Sequence, residues 1–347
     1  MKTKFNRVLT SAVGALAFFS VLAGVKAQAK TDLLVYTAVE ADELKKFKKI
    51  FEADNPEVNI KWVRDSTGII TSKLLAEKSN PKADIVWGVA ATSLLLLSEY
   101  NYFQGYAPKG VEKLEKKYYD TKNNPPLWVG QRAWIASICY NTVEGGKHKL
   151  PIPATWDDLT KPVYAGHVIM PNPNSSGTGF LDVSSWIQIK GEDAAWKYMD
   201  GLHKNIARYT HSGSKPCKLA AKGEIPIGVS FAYRGAKSKN SGAPLEIVAP
   251  SEGVGWDLEA FGIVRNTKNL AAARALADWS VTEKANRIYN EEYAVVAMPG
   301  IAKPVKNFPP NIGAKMIKND FQWAASNRMR ILDEWRKRYD GKSEPKK

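Results

Sequence analysis

From Asp32 the chain alternates short apolar runs with longer amphipathic stretches. Leu33-Leu34-Val35-Tyr36-Thr37 has the length and residue types of a buried strand that ends in a polar turn. Asp42 then caps a stretch whose Leu44, Phe47, Ile50 and Phe51 share one helical face, and Pro56 ends it. Val58 to Val63 reads as a second strand, Ile69 to Ser79 as a helix, Ile85-Val86-Trp87 as a third strand and Ala91 to Tyr100 as another helix. Strands and helices in this alternation predict a parallel sheet covered on both faces.

After the Pro125-Pro126 break, Trp134 to Tyr140 reads as a strand that carries the chain into a second α/β set, which Trp156-Asp157-Asp158-Leu159 opens. Strands follow at His167 to Met170, Ile227 to Phe231 and Leu245 to Val248, with helices at about Gly179 to Ile189 and Glu192 to Lys204. Leu258 to Val264 reads as the strand that returns the chain. Helices at Leu270 to Ser280, Glu283 to Asn290 and about Asp320 to Tyr339 complete the pattern, and Lys342 to Lys347 reads as a frayed tail. The expected organisation is an α/β protein of two lobes. Residues 30–132 and 265–347 form lobe one and residues 133–264 form lobe two. A chain that leaves a lobe and comes back makes a two-strand hinge, which suits closure around a ligand.

Composition adds the compartment. Lys2, Lys4 and Arg7 precede an apolar stretch from Val8 to Val25, followed by small-x-small sites at Val25-Lys26-Ala27 and Ala27-Gln28-Ala29. This is the grammar of an export signal over residues 1–29, cleaved after Ala27 or Ala29, and it places the mature chain in the periplasm. No cysteine stands near the cleavage site to take a lipid. Of the formal +15, the signal carries four positive charges, which leaves +11. The remaining Lys and Arg residues are scattered among Asp and Glu, so the charge suits an anionic small ligand better than nucleic acid. Cys139 and Cys217, the two cysteines, are 78 residues apart. In an oxidising compartment they make a disulfide candidate, one that would contribute about 4 kcal/mol by chain entropy. With only four histidines, none at ligand spacing to either cysteine, no metal site is expected.

In open parallel sheets ligands bind beyond the carboxyl ends of strands, so the loops after each strand hold the candidate chemistry. Ser66-Thr67-Gly68 directly precedes a helix, where backbone N–H groups and the helix dipole favour an anion. Asn172-Pro-Asn-Ser175-Ser176-Gly177-Thr178-Gly179 is richer still in neutral donors. Tyr209 to Cys217 adds Ser212 and His211, and Tyr233 can donate its hydroxyl to an oxyanion. For a cationic end of the ligand, Glu40 follows Thr37 where a strand hands over to a helix, though a first-turn glutamate also suits the helix dipole. Trp87 reads either as a cleft wall or as a core residue. Asp257 reads either as a partner for a cation or as a hinge hydrogen-bonding group. The inventory fits a small zwitterion with a phosphonate or phosphate head. No Gly-x-Ser-x-Gly, His-Glu-x-x-His, Walker A or Cys-x-x-Cys pattern occurs, so no enzyme and no cofactor are expected.

These same segments carry a resemblance. Asp65-Ser-Thr-Gly-Ile-Ile-Thr-Ser-Lys-Leu-Leu-Ala-Glu-Lys78, Asp84 to Ser93, Pro171 to Trp186, Tyr209 to Cys217 and Gly255-Trp-Asp-Leu-Glu-Ala260 resemble the 2-aminoethylphosphonate-binding proteins of ABC transporters over about Leu33 to Pro299. The resemblance implies a type II periplasmic binding fold, a monomer that hands 2-aminoethylphosphonate to an inner-membrane permease, and no catalysis. Ferric-ion-binding proteins are similar more distantly. Their adjacent Tyr-Tyr pair is replaced here by Phe231-Ala232-Tyr233-Arg234, which argues against iron, whereas Ser176-Gly177-Thr178 matches their anion loop. Other phosphorylated or phosphonate solutes and ferric ion remain the alternative ligands.

Overall fold

The computed structural model describes residues 29–345, together with Met1 and Thr3. The export signal therefore falls almost wholly outside the described residues. The first half of the fold begins with β1 (Thr31–Thr37), α1 (Ala41–Asp54), β2 (Val58–Arg64), α2 (Thr67–Ala76), β3 (Ile85–Ala90) and α3 (Ala91–Ser98). A long strand, β4 (Val129–Asn141), leads through α4 (Thr142–Lys147) and β5 (Val168–Pro171) to α5 (Gly177–Lys190), α6 (Glu192–Asn205), β6 (Ile206–Thr210) and α7 (Lys215–Ala221). Then come β7 (Ile227–Phe231), α8 (Ala232–Asn240), β8 (Leu245–Val248) and β9 (Trp256–Ile263). The chain closes with α9 (Leu270–Ser280), α10 (Glu283–Asn290), α11 (Ile312–Lys315) and α12 (Phe321–Tyr339).

The sheet is mixed, not all parallel. Its order is β2-β1-β3-β9-β4-β7-β5-β6, with β8 paired to β4. β1 lies parallel to β2 and β3, and β5 parallel to β6 and β7. The returning strands break this pattern, because β9 runs antiparallel to β3 and β4, and β4 antiparallel to β7 and β8. Period-two and run-length signals locate strands but carry no direction, so the antiparallel partners were not foreseeable from them. β4 is the shared element: residues 129–135 pair with β9, and residues 136–141 pair with β7 and β8.

Burial follows the apolar pattern. Leu44, Phe47 and Phe51 of α1 are buried, and Phe47 meets the rings of Trp87 at 5.2 Å and Tyr289 at 5.8 Å. α12 spans the two halves, packing against α3 on one and α5 on the other. Cys139 of β4 and Cys217 of α7 are joined in a disulfide with Cα atoms 5.4 Å apart. Several elements lay hidden in the sequence, among them the short helices α4 and α11, and α8. β6 and α7 occupy Ile206 to Ala221, a stretch whose Arg, Ser, Gly, Lys and Pro residues read as loop. Of the stretch read as a frayed tail, residues 346 and 347 lie outside the described residues and the rest is tied down: Lys342 Nζ donates to the carbonyls of His203 at 2.6 Å and Ile206 at 2.7 Å.

Candidate functional site

A cavity enclosing roughly 480 Å³, part of it open to solvent, lies between the halves. Ser66, Thr67, Ser176, Gly177 and Thr178 line it, as do Glu40, Arg64, Ala90, Trp134, Gly213, Phe231, Glu259 and Tyr293. The start of α2 enters from one half and the start of α5 from the other, with Ala90 and Phe231, the residues just before α3 and α8, beside them. Each helix N-terminus carries about half a positive charge and unpaired N–H groups. Ser176 caps α5 by accepting the Gly179 N–H at 3.2 Å, while the Ser66 side chain caps no amide of α2. The cavity therefore has a pole of neutral donors suited to an oxyanion.

Two glycines let that pole form. The Gly68 N–H donates to the Ser175 carbonyl at 2.9 Å, a backbone bond from one half to the other. A Cβ on Gly68 would stand 2.2 Å from the Asn174 oxygen, and one on Gly177 2.7 Å from the Thr67 side chain. Gly68 and Ser175 thus seal the cavity edge and do not line it. The Ser175 hydroxyl donates to the His211 carbonyl at 2.7 Å. Beside this seam a ring nitrogen of His211 stands 3.1 Å from Asp65.

The other candidates are placed less favourably. Trp87 is in the core, with its indole N–H donating to Ser280 at 2.7 Å, and forms no wall of the cavity. Thr37 is buried and accepts the Val39 N–H at 3.2 Å. Tyr233 packs its ring 4.6 Å from that of Tyr293, and its hydroxyl accepts from Lys237. The Ser212 carbonyl accepts the Thr210 hydroxyl at 3.1 Å, and the adjacent Gly213 reaches the cavity. Asp257 is enclosed, accepting from Thr92 at 2.6 Å and from the Leu258 N–H. Burial pushes its carboxyl up to about 6, against the pull of these donors and Arg328.

Glu40 reaches the cavity, but its charge is already taken. Arg234 donates to it, Lys218 lies 3.3 Å away and Arg64 3.9 Å. Burial alone would raise the Glu40 carboxyl, and Arg234, Lys218 and Arg64 together override that and hold it below its ordinary value. Arg234 and Lys218 sit on the second half, so Glu40 ties the halves together, as does Asp42, bound to Arg234 and Lys237. A depressed carboxyl contributes stability above its unfolded value near 4.5 and loses it as pH falls through the lower folded value. Thermal unfolding from pH 6 down to pH 3 should show Tm falling through the acid range, and Glu40→Gln should flatten that part of the slope. An unchanged slope would mean that this cluster does not hold the closed form.

Glu259, absent from the sequence reading, is the carboxylate left facing the cavity. It accepts Arg132 Nε at 2.7 Å and the Tyr293 hydroxyl at 3.2 Å. Arg132 also forms a two-pronged pair with Glu43, at 2.7 and 3.0 Å, and lies 3.9 Å from the Tyr293 ring centroid. Two carboxylates share one guanidinium, so this buried group carries one net negative charge when both acids are ionised. Burial raises the Glu259 carboxyl; Arg132 opposes the rise and Glu43 adds to it. The signal for Glu259 was present in Trp256-Asp-Leu-Glu259, but choosing between its two acids required their partners. Among the described residues no cluster of three or more His, Cys, Asp or Glu side chains suits a metal, and no helix is long and apolar enough to cross a membrane.

Two α/β halves joined through β4 and β9, with helix N-termini facing an enclosed cavity, define a type II periplasmic binding protein. The model for bacterial extracellular solute-binding proteins matches residues 80–326, and the chain belongs to that family, whose members bind and do not catalyse. The periplasmic binding protein AfuA from Actinobacillus pleuropneumoniae, solved with exogenous fructose-6-phosphate bound, superposes with a TM-score of 0.83 at 27% identity, over 89% of this chain and 98% of that one. The apo ferric ion-binding protein A of Pasteurella haemolytica shares the fold, with a TM-score of 0.71 at 19% identity over 88% and 97%. An uncharacterized protein of Haemophilus influenzae is 27% identical over 339 residues, 96% of this chain and 97% of that protein. The probable ABC transporter periplasmic-binding protein y4fP of Sinorhizobium fredii is 25% identical over 232 residues, 63% of this chain and 62% of its own.

Proposed function

We propose that this chain is the periplasmic capture subunit of an ABC importer and that its solute is 2-aminoethylphosphonate. The observation that carries the reading is the polarity of the cavity. A neutral donor pole at the starts of α2 and α5 stands in the same enclosure as Glu259, one of two buried carboxylates that share the Arg132 guanidinium, and an incoming ammonium favours the ionised form of both. A phosphonate bonded to backbone N–H groups and hydroxyls keeps its charge, and an ammonium two carbons away meets Glu259. Glu40 and Asp257, the acids that the sequence favoured for the ammonium, are less suited, because three cations surround Glu40 and Asp257 does not line the cavity. Residues 30–132 with 265–347, and 133–264, are taken as lobes that rotate about β4 and β9. Closure then expels water and strengthens each charge-assisted bond. A sugar phosphate is the second reading, favoured by the likeness to the fructose-6-phosphate complex of AfuA.

Titration calorimetry on ligand-stripped protein separates the two. One-to-one binding of 2-aminoethylphosphonate that fructose-6-phosphate and inorganic phosphate fail to displace is the expected result. Heat on titrating fructose-6-phosphate, with none from the phosphonate, would transfer the assignment to a sugar phosphate. Glu259→Gln should weaken 2-aminoethylphosphonate by about thirty-fold, or about 2 kcal/mol for a lost charged bond, and leave methylphosphonate nearly unchanged. Equal losses for both ligands would remove Glu259 from the ammonium.

A further inference from the structure

The C-terminal residues beyond α12 reach the loops that build the anion pole. Asn172, at the head of the 172–178 loop, donates from its side chain to Ser343 Oγ at 2.9 Å and to Asp340 at 3.1 Å. The same side chain accepts the Asn174 N–H at 2.8 Å, and the Asn172 carbonyl accepts the Ser176 N–H at 2.9 Å. Asn172 is therefore the brace of the loop that carries Ser176 and Thr178. The neighbouring loop is held in the same way. Glu344 accepts the His211 N–H at 2.6 Å, pairs with Lys215, and extends β6 through its own N–H to the Tyr209 carbonyl at 2.9 Å. His211 and Lys215 flank Gly213, which lines the cavity.

We infer that residues 340–344 form a strap whose Asp340, Ser343 and Glu344 are positioning residues for the solute site, holding both donor loops of the second half in their binding geometry. The inference rests on the solute-capture reading above. None of these three side chains lines the cavity, so the strap acts through the loops and touches no ligand. Fixing loops before the ligand arrives removes an ordering cost that would otherwise be deducted from affinity. Glu344 bonds both a backbone amide and a lysine, which makes it the principal tie.

The test compares the full-length protein with Glu344→Ala, Glu344→Gln and the triple variant Asp340→Ala/Ser343→Ala/Glu344→Ala. Affinity for 2-aminoethylphosphonate and amide hydrogen exchange are measured on each. The triple variant should bind about ten-fold more weakly, chiefly through faster dissociation, with exchange accelerated in 172–178 and 211–215 but not in α1. Glu344→Gln, which keeps an oxygen for the His211 N–H, should recover most of the loss seen in Glu344→Ala. Unaltered exchange in both loops would overturn the strap, as would a loss of affinity accompanied by faster exchange throughout the protein. If the parent protein fails to bind 2-aminoethylphosphonate, the solute reading falls, and loop exchange in the variants still decides the strap.

Discussion

Gly68→Ala is expected to abolish tight solute capture while leaving each half folded. The added methyl would meet the Asn174 carbonyl oxygen at 2.2 Å and the Ser175 carbonyl group at 2.8 Å, and both are backbone atoms of the opposite half. No rotamer change relieves such a clash, so the halves must part, and the Gly68 N–H loses its bond to Ser175. Within α2 itself the change does no harm, since alanine is preferred to glycine by about 1 kcal/mol in a helix. Affinity should fall at least a hundred-fold, about 3 kcal/mol, because the ligand is then held by donors from one half alone. Circular dichroism of the unliganded protein should stay near that of the parent, while small-angle scattering should show no compaction on adding solute. Parental affinity with parental compaction would show that closure does not bring α2 and the Ser175 loop together.

The second large effect is on stability. Arg132→Met should lower the free energy of unfolding by about 3 to 5 kcal/mol, the usual consequence of stripping a buried ion pair of one partner. Methionine refills much of the volume beside the Phe47 and Tyr293 rings. Glu43 and Glu259 then face each other across a dry site with no cation between them. The folded-state carboxyl of Glu259, already raised by burial, must rise further without Arg132, so the variant should regain stability as pH falls toward the ordinary carboxylate range, the reverse of the Glu40 cluster. Urea unfolding at pH 8 and pH 5 measures both parts of the prediction. A loss below about 1 kcal/mol, or one independent of pH, would mean that the two carboxylates find other partners.

How much of this was legible in the sequence depends on whether the information is local. Leu33 to Thr37, Ile85 to Trp87 and the face Leu44-Phe47-Phe51 announce themselves within a few residues, because burial and helical periodicity are properties of neighbours. The loops at Ser66 and Ser176 are legible for the same reason, as hydroxyls and glycines between a strand and a helix. The ownership of charges is not. Glu40 is claimed by Arg234 across 194 positions, and Arg132 reaches Glu259 across 127. Nothing near Glu40 distinguishes a carboxylate waiting for a ligand from one already paired. Trp87 leaves its two readings open for the same reason, since its partner Ser280 lies 193 residues on. The tail reads as frayed because its lysines and lack of apolar residues are those of a solvated end, yet it is held by polar bonds to β6 and the donor loops.

The donor pole is built from main-chain amides at the starts of helices, and this divides the binding site into a part fixed by the fold and a part free to vary. Main-chain geometry is shared by every sequence that adopts the fold, so an oxyanion handle is inherited with the architecture. On the solute reading proposed above, the organic remainder would be read by side chains such as Trp134, Phe231, Glu259 and Tyr293, each replaceable one at a time. If that reading holds, a lineage could retarget such a protein from one phosphorylated or phosphonate nutrient to another in a few substitutions, with no intermediate that loses its grip on the anion.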